Sequence, residues 1–123
     1  MDTGADWKAA DLGSCSAVGS PASCRVVYAA DFASDDGSRD DNGHGTNVSS
    51  IVARTAPDAD IVALDVFTGT GAFTSDILEA LDWVISYRDT YDIAAVNMSL
   101  GAGAYSSTCA NSFSAGVAAV RAA

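Results

Sequence analysis

Residues 61–88 read IVALDVFTGTGAFTSDILEALDWVISYR, and the apolar pattern changes period halfway along. Ile61 to Phe67 is a nearly continuous apolar run, as expected of a strand buried on both faces. Thr68 to Phe73 (TGTGAF) is a Gly-rich loop. Beyond it, Ile77, Leu78, Leu81, Val84 and Ile85 fall at helical spacing and make one apolar stripe. Thr74 or Ser75 is expected to cap this helix. Asp76 and Glu79 suit the positive end of its dipole, and Arg88 the negative end.

The same unit recurs on either side. Upstream, Arg25 to Ala30 (RVVYAA) predicts a strand and Asp35 to Asn42 (DDGSRDDN) a polar loop. Val48, Ile51, Val52 and Ala56 then predict a helix from His44, stopped by Pro57 and Asp58. Downstream, Ile93 to Met98 (IAAVNM) predicts a third strand. Gly101 to Ser107 is a loop, and Phe113, Val117 and Val120 support a weaker helix over 112–122. Strands near 25–30, 61–67 and 93–98, alternating with helices near 44–55, 75–88 and 112–122, predict an α/β fold. Right-handed crossovers make its sheet parallel, with helices covering it in a three-layer sandwich. Ligands in such sheets sit beyond the carboxyl ends of the strands, and Asn97 lies near one of those ends.

The 123 residues suffice for one domain. Sixteen acidic residues against six basic ones give a net charge of −10, which opposes binding to nucleic acid phosphates or to an anionic membrane surface. Hydrophobic residues make up 49%, enough for a core, yet the apolar runs fall far short of the ~18 residues of a membrane span. Met1 is followed at once by Asp2, so no signal peptide is expected at the front.

Cys15 and Cys24 flank a loop rich in Gly, Ser and Pro, and their proximity predicts a disulfide closing a short loop. Cys109 is left over. Three reduced thiols in a cytosolic protein is the competing reading. No C-x-x-C occurs and there is one histidine, so zinc-type spacing is absent.

That histidine, His44, lies between two glycines in DDNGHGT (residues 40–46), at the start of a predicted helix. An imidazole with a pKa near neutrality is a natural general base. Asp2-Thr3-Gly4 opens the chain, and Asn97 runs into Met98-Ser99-Leu100-Gly101. Each motif is modest alone. Together, with APDADIVALDVF at 56–67 and SDILEALDWV at 75–84, their order and spacing resemble the subtilases, the subtilisin-like serine peptidases.

The resemblance implies a subtilisin-like sandwich, here incomplete at both ends, and a serine endopeptidase acting on peptide or protein substrates outside the cell. It implies that Asp2 orients the base, that His44 is the general base and acid, and that Asn97 is the side-chain donor of the oxyanion hole. Ser99, Leu100 and Gly101 would pair with the substrate backbone, with Gly69 and Gly71 in the opposite wall of the cleft. The chemistry asks for such a set. A serine hydroxyl needs a base, the imidazolium needs a carboxylate, and the tetrahedral oxyanion needs preorganised donors.

The family's nucleophile lies in a G-T-S-M-A-like segment, and these 123 residues hold none. Ser114 imitates it at the wrong place, and Ser49 and Ser50 follow His44 on its own helix. Asn47 stands where the family usually has a second histidine; Asn47-Val48-Ser49 also spells a glycosylation sequon, at a helix position that disfavours its use. The chain is therefore expected to be part of a longer catalytic domain and inactive alone, its principal partner being the rest of that domain. A pseudoenzyme or peptide-binding module with the same cleft is the alternative. A phospho-acceptor receiver would need a strand-end lysine, and the one lysine is Lys8. No cofactor is expected for the chemistry. Asp35, Asp36, Asp40, Asp41 and Asn42 raise a structural calcium, but the EF-hand pattern fails and a solvated acidic loop is the simpler reading.

Overall fold

A computed structural model describes residues 1–34, 36–103, 106 and 113–123. A 3₁₀ turn at Ala10–Leu12 is followed by β1 (Val26–Asp31), α1 (His44–Thr55), β2 (Ile61–Asp65), α2 (Thr74–Tyr91) and α3 (Ser114–Ala122). β1 and β2 pair in parallel, as α1 crosses over between them. The register runs from Val26 opposite Ile61 to Asp31 opposite Asp65, with an irregularity between Val26 and Tyr28. The α/β alternation is as expected, and the sheet has two strands among the described residues.

Side chains alternate along β2. Ile61 and Ala63 join Val26, Leu12 and Ala53 of α1 in one buried cluster. Leu64 joins Val66 and the α2 residues Ile77, Ala80, Leu81 and Val84 in a second, with Val62 packed against it. The continuous apolar run of β2 thus serves two cores. α3 lies close on α2: a side chain on Gly116 would come within 3.1 Å of Leu81 and 3.2 Å of Leu78. Trp83 of α2 stacks between Tyr28 and Tyr87, with ring centroids 4.7 and 4.6 Å away.

Neither expected cap holds α2. Phe73 occupies the cap position without a side-chain bond, and Thr74 is already helical. The helix ends at Tyr91, three residues past the expected stop, where Asp92 takes a left-handed conformation.

The expected third strand is the main correction. Residues 93–100 carry no regular structure. Ile93, Val96, Met98 and Leu100 are half-buried against the second cluster, while Ala94, Ala95, Asn97 and Ser99 are exposed. The apolar pattern signalled burial correctly. A strand also needs a hydrogen-bonded neighbour strand, and here the Ile93 amide turns back to the Arg88 carbonyl at 2.9 Å while the Asn97 carbonyl accepts from the Met1 ammonium at 3.0 Å.

Cys15 and Cys24 are disulfide-bonded, their Cα atoms 4.9 Å apart. Both are buried in the first cluster, although the loop around them is largely exposed. Cys109 lies outside the described residues.

Candidate active site

Asp2 is pinned beside the carboxyl end of β2. Its amide donates to the Leu64 carbonyl and its carbonyl accepts from the Val66 amide, both at 3.1 Å, which makes Asp2 a parallel bridge partner of Asp65. Thr3 and Gly4 then turn toward the loop ahead of α1. Gly4 has φ +93°, and a Cβ there would lie 2.3 Å from the Arg39 carbonyl oxygen. Only glycine fits.

Asp40 organises the start of α1. Its carboxylate accepts from the Thr3 hydroxyl at 2.7 Å, from the Gly43 amide at 2.9 Å, from the Thr46 amide at 2.7 Å and from the Thr46 hydroxyl. These are donors that a helix N-terminus leaves without intrahelical partners. Burial alone would raise the pKa of Asp40. The hydrogen bonds from Thr46, Thr3 and Gly43 outweigh it and hold the carboxyl below its ordinary value. The Thr3 hydroxyl also accepts from the Gly45 amide at 3.0 Å, tying the first segment to the helix.

His44 is the first residue of α1. Its Nδ1 lies 2.6 Å from Asp2 Oδ1, which also accepts from the Thr3 amide at 2.8 Å. The carboxyl is buried, with 8% of its side chain exposed, whereas 53% of the imidazole side chain is exposed. The hydrogen bond that His44 donates to Asp2, followed by the Asp2 charge, raises the pKa of His44 above the ordinary imidazole value. A buried carboxylate on one ring nitrogen leaves the other nitrogen free to exchange a proton with a hydroxyl.

The other expected residues occupy this neighbourhood to different degrees. Gly69 is tied to the loop before His44: its amide donates to the Asp41 carboxylate, and its carbonyl accepts from Asn42 Nδ2 at 3.4 Å. Gly71 closes a tight turn with Thr68. Asn97 reaches Asp2 through one residue, since its carbonyl holds the Met1 ammonium. The Ser99 hydroxyl donates to Asn97 Oδ1 at 2.9 Å. Leu100 is half-buried against the α2 cluster, and Gly101 is exposed. The Asp2–His44 contact is direct; Asn97 is linked to the pair through Met1, and Gly69 through Asp41 and Asn42.

In the acidic loop considered for calcium, Asp35 lies outside the described residues, and the described side chains accept from backbone amides. Asp36 accepts from the Ser38 amide at 2.7 Å, Asn42 Oδ1 from the His44 amide at 3.1 Å, and Asp40 and Asp41 are engaged as above. Among the described residues, no group of three or more His, Cys, Asp or Glu side chains is placed to hold a metal.

Two features escaped the sequence reading. One is the capping role of Asp40, which an Asp four residues before the histidine could have signalled. The other is Asp65, buried at the end of β2. Its pKa is pushed up to about 7, first by burial, against a hydrogen bond from the Phe67 amide and with the Asp41, Asp31 and Asp40 charges adding to the rise. The folded chain therefore holds a proton that the unfolded chain releases near pH 4, so this contribution to stability falls as pH rises toward 7. His44 has the same sign at higher pH: its contribution is full below the ordinary imidazole value and is lost as pH rises through the raised one. Asp40 acts oppositely, losing its contribution as pH falls through its lowered value. From Asp65 alone, urea unfolding is expected to show lower stability at about pH 8 than at about pH 5, by on the order of 1–2 kcal/mol after solvent screening, and His44 acts in the same direction. Equal stabilities at the two pH values would refute this.

A family model described as the subtilase family matches residues 1–123. A subtilisin-like protease of Coccidioides posadasii is 34% identical over 112 residues, covering 84% of this chain and 25% of its own length. An alkaline proteinase of Hapsidospora chrysogena is 36% identical over 94 residues, 68% of this chain and 23% of that one. Alkaline protease 1 of Aspergillus flavus is 39% identical over 95 residues, with the same two shares. The chain thus spans about a quarter of the length of the curated relatives it matches. No solved structure gives a significant match.

Proposed function

Because the chain belongs to the subtilase family, we propose that it carries the acid–base part of a subtilisin-like serine endopeptidase. The observation that supports this most is the 2.6 Å contact between the buried Asp2 carboxylate and Nδ1 of the half-exposed His44. Asp2 fixes the tautomer and stabilises the imidazolium. His44 takes the proton of a serine hydroxyl through Nε2 and returns it to the leaving amine. Asn97 offers its amide NH₂ to the tetrahedral oxyanion, and the Ser99 hydroxyl on Oδ1 supports that orientation. Gly69 and Gly71 on one side, with Ser99, Leu100 and Gly101 on the other, flank an extended peptide substrate.

The nucleophile comes from the remainder of the catalytic domain, of which residues 1–123 are one part; the quarter-length coverage of the relatives supports this. The whole domain is a three-layer sandwich, a reading supported by the two clusters fed by alternate residues of β2. The chemistry uses no cofactor. The protein works outside the cell, where the Cys15–Cys24 bridge is stable. No helix among the described residues is long and apolar enough to cross a membrane.

A fluorophosphonate probe tests the reading. The 123-residue chain alone is expected to stay unlabelled, and a longer protein containing it to be labelled at one serine. Labelling of Ser114 or Ser49 in the short chain, or none in the longer protein, overturns it.

A further inference from the structure

Three aspartates stand in register across the carboxyl edge of the sheet: Asp31 at the end of β1, Asp65 at the end of β2, and Asp2, bridged to Asp65. Residues in parallel register share a face. Asp65 is two positions beyond Ala63, so this face is the one that packs toward α1, where His44 holds Asp2 Oδ1. Asp65 is 5% exposed, and its Oδ2 would lie 2.8 Å from a Cβ on Gly4. The second oxygen of Asp2, Oδ2, is buried with no hydrogen-bond partner. The site therefore contains a buried carboxyl beside the Asp2–His44 pair that the acid–base chemistry does not use.

We propose that Asp65 is a positioning residue for this pair: by carrying a proton or a charge next to Asp2, it sets how tightly His44 holds its own proton. The proposal rests on the reading of Asp2 and His44 as the acid–base pair and deepens it. The physical chain is short. Protonated, Asp65 leaves the imidazole governed by Asp2, with a smaller contribution from the Asp40 charge. Ionised, it adds a second negative charge behind the first, which favours the imidazolium. Asp65 is poised to change state, since burial and its neighbours bring its titration to about 7.

The charged groups around it are its bridge partner Asp2 and the Met1 ammonium on the first segment, Asp31 on β1, and Asp40 and Asp41 on the loop before α1, with His44 one step further on, through Asp2. Four of these six groups are carboxyls of like sign to Asp65, and Met1 is the one cation besides protonated His44. The carboxyls delay the ionisation of Asp65, whereas the Met1 ammonium, itself lowered in pKa chiefly by burial, favours it.

NMR titration of the His44 imidazole in the full 123-residue chain, from about pH 4 to pH 9, tests the coupling. Wild-type His44 is expected to titrate over a broadened range. Asp65→Asn is expected to lower its midpoint by roughly half a pH unit and to sharpen the curve to a single proton. An unchanged midpoint and slope in a folded Asp65→Asn chain overturns the proposal. If that variant does not fold, the ¹³Cγ shift of Asp65 in the wild-type chain decides. Titration near neutrality, mirrored in the His44 resonances, supports the coupling; titration confined to the ordinary carboxylate range overturns it. The measurement needs no proteolysis. A coupled His44 in a protein that proves unable to cleave peptides would refute the peptidase reading and leave the coupling standing.

Discussion

Replacing His44 with alanine is expected, on the proposed reading of the chain as part of a serine peptidase, to lower kcat of a longer protein containing these residues by on the order of 10⁴–10⁶-fold with little change in KM, a magnitude known for the triad of subtilisin itself. The loss follows from the division of labour at the site. His44 Nδ1 is committed to the buried Asp2 at 2.6 Å, so proton transfer falls to the other nitrogen. Without the imidazole, the serine hydroxyl must ionise unaided, and Asp2 cannot substitute because its carboxylate is buried beneath the ring. The measurement is turnover of an unstructured peptide, alongside fluorophosphonate labelling. Activity within tenfold of wild type, with labelling intact, would remove His44 from the mechanism. Cleavage that survives while labelling is lost would point to a contaminating protease.

Gly45→Ala is expected to damage both stability and activity, although the change is one methyl group. A Cβ on Gly45 would sit 2.0 Å from the Gly4 carbonyl oxygen, a backbone atom. Gly4 cannot retreat easily. Its own conformation is left-handed, and it is held by the bonds of Asp2 to β2 on one side and of Ala5 to the Arg39 carbonyl on the other. Helix α1 would have to move away, lengthening the Gly45–Thr3 bond and the Asp2–His44 contact that depend on this approach. The expected cost is roughly 3 kcal/mol of stability. The displaced His44 is expected to cost a further ~10²-fold or more in kcat. Gly43→Ala is the control. It also has a positive φ, but open space surrounds its Cβ position, so it should cost only about 1 kcal/mol. Urea unfolding of both variants checks the contrast, and equal stabilities for the two would show that the α1 approach is not tight.

The alternation of elements was legible because each signal is local. An apolar run, a glycine loop and a 3.6-residue stripe within 61–88 require no knowledge of distant residues, and β2 and α2 lie where that pattern puts them. His44 was legible for a similar reason: flanking glycines at a helix start mark a backbone under constraint. The expected strand at 93–98 failed because burial and pairing are different properties. Its apolar residues do pack against α2, yet whether a segment joins a ladder depends on the strand beside it, and no local pattern carries that information.

The sequence by itself determined the α/β class, the order of the first two strands and of the three helices, the Cys15–Cys24 pairing and the family, and it named Asp2 and His44 as the candidate pair, because these follow from periodicity, from proximity along the chain and from the order of the subtilase motifs. Only the tertiary structure decided how those residues work together. Asp2 and His44 are separated by 42 positions, and their contact depends on β2 holding one and the Asp40-capped helix holding the other. The close approach of Gly45 to the Gly4 carbonyl, and the row Asp31–Asp65–Asp2, exist only once the parallel register and the crossover are formed. The charge and burial that set the proton affinity of a carboxyl such as Asp65 come from segments far apart in the chain, and folding alone assembles them.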